Sequence, residues 1–189
     1  MTKSRLFLVA PEAILPELLL DCSKAACAAI DCAFIIAPAI TTPASVVALQ
    51  NLGIAVLLRD ATAAQVTGTK ADGVHLSDAT TAASMRKELD TLSIGVLAGT
   101  SRHFAMEAAE AGADYVAFTQ TKQFTGEPLI SWWQDVTDLP VAAFDPVDQN
   151  SLAILLPQKP DFIRPSVEMW QSPTAATRII SAISAALKA

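Results

Sequence analysis

A chain of 189 residues with 52% hydrophobic side chains is long enough for one domain with a sizeable core. The net charge of −6 and the lack of any basic run exclude a nucleic-acid surface. No apolar stretch reaches the roughly 18–20 residues of a membrane span, and the start of the chain has neither the apolar core nor the cleavage site of a secretory signal. Cys22, Cys27 and Cys32 are odd in number and match no zinc spacing, so they read as small buried side chains of a reducing, cytoplasmic protein.

Residues 6–9 are a short apolar run, hence a buried strand. Pro11 and Glu12 are expected to open a helix with Leu15, Leu18, Leu19, Cys22 and Ala26 on one face. Residues 32–37 give a second strand. Thr42 and Pro43 cap the next helix, and Gly53 follows its end. Residues 54–58 are a third strand, closed by Arg59 and Asp60. A helix reaching about Thr69 leads into the fourth strand, after which Ser77 or Asp78 is expected to cap a helix. A fifth strand over residues 92–97 precedes a helix capped by Ser101, and residues 115–118 form a sixth. The polar segment 119–128 is long enough to be a lid. A short helix carrying Trp132 and Trp133, a strand over 141–144, a helix over 148–156 and a brief strand at Phe162 and Ile163 follow. Ser172 and Pro173 cap a last helix with Ile179, Ile180, Ile183 and Leu187 inward.

Three stretches share one shape. They are Lys70-Ala71-Asp72-Gly73-Val74-His75-Leu76-Ser77-Asp78, Ala113-Asp114-Tyr115-Val116-Ala117-Phe118-Thr119 and Pro160-Asp161-Phe162-Ile163-Arg164-Pro165-Ser166. Each has an Asp ahead of the strand, placed to bond the incoming turn, and a polar group behind it. Their spacing marks every second unit of a βα array. Eight near-continuously apolar strands alternating with helices predict a single (β/α)₈ TIM barrel over residues 1–189. The chain is short beside the roughly 250 residues typical of that barrel, so its loops must be minimal. An open sheet of fewer strands is the alternative.

A barrel carries its chemistry at the C-terminal strand ends. The polar residues there are Arg59, Asp60, His75, Ser77, Asp78, Thr100, Thr119, Lys122, Asp145, Arg164 and Ser166. No nucleotide-binding glycine fingerprint occurs. The two histidines, His75 and His103, are not spaced as a metal pair. Each candidate also has a purely structural reading. His75 is a packed polar side chain, Asp60 and Asp78 are helix caps, Lys122 is a solvated loop lysine, and the two tryptophans are a helix face on the barrel with a homodimer contact beside it. Arg164 is hardest to read that way, because an Arg at that strand end faces the rim.

The stretch Ala71-Asp72-Gly73-Val74-His75-Leu76 and the later Ala111-Gly112-Ala113-Asp114-Tyr115-Val116 resemble the thiamine phosphate synthase and TenI family, over roughly residues 53–118. The resemblance implies an enzyme of thiamine biosynthesis that joins a pyrimidine methyl diphosphate to a thiazole phosphate, with Mg²⁺ helping the diphosphate to leave. It implies His75 and Lys122 as catalytic groups. Arg59, Ser77, Thr100, Thr119, Arg164 and Ser166 become contacts to a small phosphorylated heterocycle, and Asp60 and Asp78 become Mg²⁺ ligands. TenI-like relatives instead tautomerise a thiazole carboxylate phosphate.

The chain departs from the family pattern in charge. The family's Q-x-R-x-K after the second strand is here Ile35-Ile36-Ala37-Pro38-Ala39, without a cation. Its N-D after the third strand is Arg59-Asp60, and its second acidic Mg²⁺ ligand falls near Thr80. The fifth-strand G-V-S-x-H-T becomes Gly95-Val96-Leu97-Ala98-Gly99-Thr100, and a phosphate-cupping glycine region becomes Ala142-Ala143-Phe144-Asp145. An Asp there repels phosphate. Three classes of function follow: a synthase of weak or lost activity, a thiazole tautomerase, or a non-catalytic barrel that binds a ligand or partner.

Overall fold

The computed structural model describes residues 4–119 and 128–188. Its strands are β1 (Arg5–Val9), β2 (Cys32–Ala37), β3 (Ala55–Arg59), β4 (Gly73–Leu76), β5 (Ser93–Gly99), β6 (Tyr115–Phe118), β7 (Val141–Val147) and β8 (Phe162–Pro165). All are parallel, each pairs with the next, and β8 pairs with β1, which closes the barrel. The helices between them are α1 (Pro16–Ala29), α2 (Pro43–Gln50), α3 (Ala63–Thr69), α4 (Ala82–Leu89), α5 (Arg102–Glu110), α6 (Leu129–Val136), α7 (Gln149–Leu155) and α8 (Pro173–Ala186). The expected eight-stranded barrel is the observed fold. Among the described residues no helix is long and apolar enough to cross a membrane.

Alternation along the strands sorts side chains into two cores. Phe7 and Val9, Phe34 and Ile36, Leu57, Tyr115, Ala117 and Ala142 fill the barrel interior. The intervening residues, such as Leu6, Leu8, Ile35, Val56, Val74 and Ile163, pack outward beneath the helices. Stacked Phe7 and Phe34, 5.1 Å between centroids, and edge-on Phe34 and Phe162 plug the interior with aromatic rings.

The repeated aspartates anchor the N-terminal end of the barrel. The expectation was a bond to the incoming turn. Each instead grips the first part of the preceding strand. Asp72 Oδ2 accepts the Val56 amide at 2.7 Å, Asp114 Oδ2 the Ile94 amide at 2.7 Å, and Asp161 Oδ2 the Val141 amide at 2.9 Å. The backbone amide of each aspartate returns a bond to the carbonyl of that same residue. A parallel ladder leaves amides free at its entry edge, and a short acidic side chain one strand over is placed to take them.

Several boundaries differ from those read in the sequence. The first helix starts at Pro16, not Pro11. A helix opened at Pro11 would carry Pro16 in its interior, where the ring has no N–H and meets the carbonyl of Glu12. At the first helical position the same proline is tolerated. Asp78 caps a 3₁₀ turn over Ala79–Thr81, taking the Thr80 amide at 2.9 Å, and α4 begins only afterwards. β7 runs on to Val147 through an irregular pairing with β8, and β8 continues to Pro165. Trp133 is fully buried against Phe118, with its indole N–H on the Leu139 carbonyl, so it is no dimer contact. Trp132 lies beside it with Arg102 over its ring. The segment expected as a lid falls, from residue 120 to 127, outside the described residues.

Candidate functional site

The C-terminal mouth is built from the last inward-facing residues of four strands. Arg59 comes from β3, His75 from β4, Phe144 from β7 and Arg164 from β8. Arg59 and His75 are register partners in the β3–β4 ladder. Arg59 gives Nη2 to the Ala10 carbonyl at 2.8 Å and pairs through Nη1 with Glu12. Glu12, read from the sequence as a helix opener, is thus a partner of the mouth. Arg164 gives Nη1 to the Phe144 carbonyl at 3.1 Å, and its guanidinium lies 5.0 Å from the Phe144 ring centre. Among the described residues Arg164 has no carboxylate within ion-pair distance. Burial, helped by the Arg59 charge, lowers its pKa, with Asp145 opposing.

His75 lies beneath these cations. Its ring is parallel to Phe144 at 5.4 Å and nearly parallel to Tyr115 at 5.7 Å. Nδ1 is 2.7 Å from the Tyr115 hydroxyl, and Nε2 has no partner. Burial pushes the imidazole pKa down to about 3, against Asp60 and with the help of Arg59 and Arg164. The ring is therefore neutral near pH 7. Tyr115, two strands away, crosses over Gly95 to reach it. A Cβ at Gly95 would stand 2.1 Å from the Tyr115 ring.

Asp60 sits at φ 47°, a left-handed conformation that Asp tolerates. There its amide donates to the His75 carbonyl at 2.9 Å, and its two carboxylate oxygens accept the Ser77 amide and hydroxyl at 2.7 and 2.8 Å. Asp60 and Ser77 thus join β3 to β4 at the rim. Asp78 faces solvent, and its hydrogen bonds from Thr80 lower its pKa. Thr100 is exposed at the end of β5, Thr119 is half-buried after β6, and Ser166 takes the Glu168 amide at 3.4 Å. Asp145 has one carboxylate oxygen, Oδ2, buried without a partner. Lys122 lies outside the described residues.

The structure brings together Arg59, Asp60, His75, Ser77 and Arg164 and leaves Thr100 and Asp78 on exposed turns. Sequence reasoning missed Tyr115 and Phe144 as site residues, because each looked like an ordinary strand position. Parity was the available signal: Tyr115 faces inward with His75, and a glycine stands between them in register.

A family model described as thiamine monophosphate synthase matches residues 43–162. The chain is 38% identical to a thiamine-phosphate synthase of Erythrobacter litoralis over 53% of each chain. It is 37% identical to that of Hyphomonas neptunium over 71% of this chain and 66% of the relative. It spans about half to two thirds of the length of the curated relatives it matches. Among solved structures, thiamine phosphate pyrophosphorylase from Pyrococcus furiosus has a TM-score of 0.78 at 15% identity, covering 99% of this chain and 96% of that one. Tryptophan synthase from Mycobacterium tuberculosis reaches 0.75 at 15% identity, covering 100% and 94%. At such identities the likeness is one of fold.

Proposed function

The chain belongs to the thiamine monophosphate synthase family, and on that premise we propose that it binds a small phosphorylated heterocycle at its barrel mouth and joins a pyrimidine methyl diphosphate to a thiazole phosphate slowly. The observation that carries this reading is the convergence of Arg59 and Arg164 above His75, close enough for both to depress its proton affinity. The family's cations after β2 are absent, and these two arginines, from β3 and β8, offer the replacement charge.

The chemistry asks for stabilisation of a departing diphosphate, followed by capture of the pyrimidine cation by the thiazole nitrogen. Arg164, held by one nitrogen and without an ion pair among the described residues, offers its remaining donors to phosphate oxygens. Arg59 is half neutralised by Glu12, so it orients a ligand more than it attracts one. Phe144 and Tyr115 keep water from the floor of the site.

Mg²⁺ in such a site would neutralise phosphate charge and takes near-octahedral oxygen ligands, usually one or two carboxylates with phosphate and water. The residues here fit it poorly. Both oxygens of Asp60 already accept from Ser77, Asp78 is turned to Thr80, and two guanidinium groups face the same mouth. Among the described residues no three His, Cys, Asp or Glu side chains cluster. The reaction proposed here therefore relies on arginine charge, and losing a fixed electrostatic group commonly costs roughly 10²–10³ in rate. A tautomerase needs a group that exchanges a proton near pH 7. His75, held near pKa 3, does not meet that need.

The test is a time course of thiamine phosphate formed from the pyrimidine diphosphate and the thiazole phosphate, beside Arg164→Ala. Turnover well below about 1 s⁻¹, abolished in the variant, supports the reading. Turnover at or above about 1 s⁻¹, or activity indifferent to Arg164, overturns it.

A further inference from the structure

We infer that Tyr115 is a positioning residue that fixes His75 as its Nε2–H tautomer, and that this neutral N–H donates to the anionic group of the ligand held by Arg59 and Arg164. The second half rests on the proposed function; the first does not.

The argument for the tautomer is a count of orphans. Both side chains are buried, Tyr115 to 5% exposure and His75 to 1%. Their 2.7 Å contact is the one hydrogen bond each side chain makes among the described residues. If Tyr115 donates its O–H to Nδ1, the imidazole proton sits on Nε2, and one buried donor is left over. If Nδ1–H donates to the phenol oxygen, the phenol proton and the Nε2 lone pair are both left over. Each unmet buried polar group is costly, so the first arrangement wins. Its geometry is prepared by Gly95, which stands between His75 and Tyr115 in the ladder and leaves room for the phenol ring to cross.

The remaining Nε2–H is a buried, unpartnered donor beneath the cations of the mouth. The charged groups around it come from β3, β7 and β8, while β5 offers only Gly95. Arg59 and Asp60 approach from β3, Arg164 from β8, and Asp145 from β7 acts on Arg164. Tyr115 approaches from β6. Asp60 is turned to Ser77 and does not take the proton. What satisfies an N–H next to two guanidinium groups is an oxygen with lone pairs and negative charge, as on a phosphate or a carboxylate. A ligand ammonium would meet the two guanidinium charges and the Nε2–H donor there, with Asp145 as the opposing charge.

The protein has two histidines, and His103 is exposed on α5 beside Glu107. His103→Gln therefore leaves a single imidazole whose two nitrogens are read directly by ¹H–¹⁵N correlation in the ligand-free protein. The expected spectrum has a protonated Nε2 and a bare Nδ1, unchanged from about pH 5 to 8. A protonated Nδ1, or an imidazolium at pH 6, overturns the tautomer assignment whatever the activity of the protein. Tyr115→Phe keeps the ring and removes the donor, and is expected to shift the tautomer ratio about tenfold toward Nδ1–H. An unmoved ratio means that Tyr115 only fills space. Should the variant fail to fold, the parent spectrum still decides the tautomer. Inorganic phosphate is the probe for the second half. It should move the Nε2–H proton resonance in the parent and not in Arg164→Ala. A resonance that phosphate leaves unmoved, in a protein whose synthase assay succeeds, overturns the donor role while leaving the proposed function standing.

Discussion

At the N-terminal end of the barrel each aspartate of the repeat takes two donors on its Oδ2. Asp72 holds the Val56 amide and the Gln50 side chain, Asp114 the Ile94 amide and the Arg86 guanidinium, and Asp161 the Val141 amide and the Gln134 side chain. At the C-terminal mouth the same kinds of group are left with capacity to spare. Among the described residues His75 Nε2 and Asp145 Oδ2 are buried without partners, and Arg164 has no carboxylate within ion-pair distance. The first arrangement is complete in itself and joins strand to strand. The second leaves a buried imidazole nitrogen and a buried carboxylate oxygen unmet. One end of the barrel thus ties strand to strand, and the other is the end where the proposed function places binding; the difference is legible as hydrogen-bond accounting.

The sharpest way to break that contrast is Gly73→Ala, at the start of β4. A Cβ there would lie 1.9 Å from the Ser93 carbonyl oxygen and 2.9 Å from Leu57. Backbone cannot swing aside as a flexible side chain can, so β4 and β5 must separate. A loss above about 4 kcal/mol is expected in urea unfolding, or failure to accumulate folded protein. A loss under about 1 kcal/mol would show that the ladder yields more easily than its geometry implies.

Next in size is the direct comparison of the two ends. Asp72→Ala removes a charged acceptor from a strand amide and should cost about 1.5–3 kcal/mol. Arg164→Ala should change stability by less than about 0.5 kcal/mol, or raise it, because a partly buried unpaired cation is removed. Equal losses at both ends, measured as urea midpoints at constant slope, would erase the distinction.

The effect of pH is the most gradual. The folded pKa of His75 is about 3, against about 6.5 in an unfolded chain. The folded value is depressed, so this contribution is intact above pH 6.5 and is lost as pH falls from there toward 3. Unfolded chains take up the proton that the folded chain refuses. Between pH 7 and pH 5 the loss is about 2 kcal/mol. His75→Gln should flatten that part of the profile. A parent profile already flat over the same range would mean that the imidazole reaches water.

Most of the architecture was readable in advance because burial on both faces leaves a local mark. Eight apolar runs, each too short for a helix and each followed by a capped helical face, leave few folds other than a closed parallel barrel. Caps at Thr42, Ser101 and Ser172 are local chemistry and sit where expected. The start of α1 was misread because Pro11 and Pro16 are both admissible first residues locally. Pro16 decides between them, because a helix opened at Pro11 would hold it in the interior, and Glu12, left outside the helix, pairs with Arg59 47 residues away.

The sequence by itself determined which strand ends carry charge: Arg59, Asp60, His75 and Arg164 follow from strand position and inward parity. Only the tertiary structure decided what those charges face. Closing the barrel sets β3, β4, β7 and β8 around one mouth, passes Tyr115 across Gly95 to His75, and turns Asp60 toward Ser77 and away from the centre. The physical reason is range. Periodicity and capping act within a few residues, whereas burial and the field of neighbouring charges set the state of His75 through residues up to about ninety positions distant in the chain.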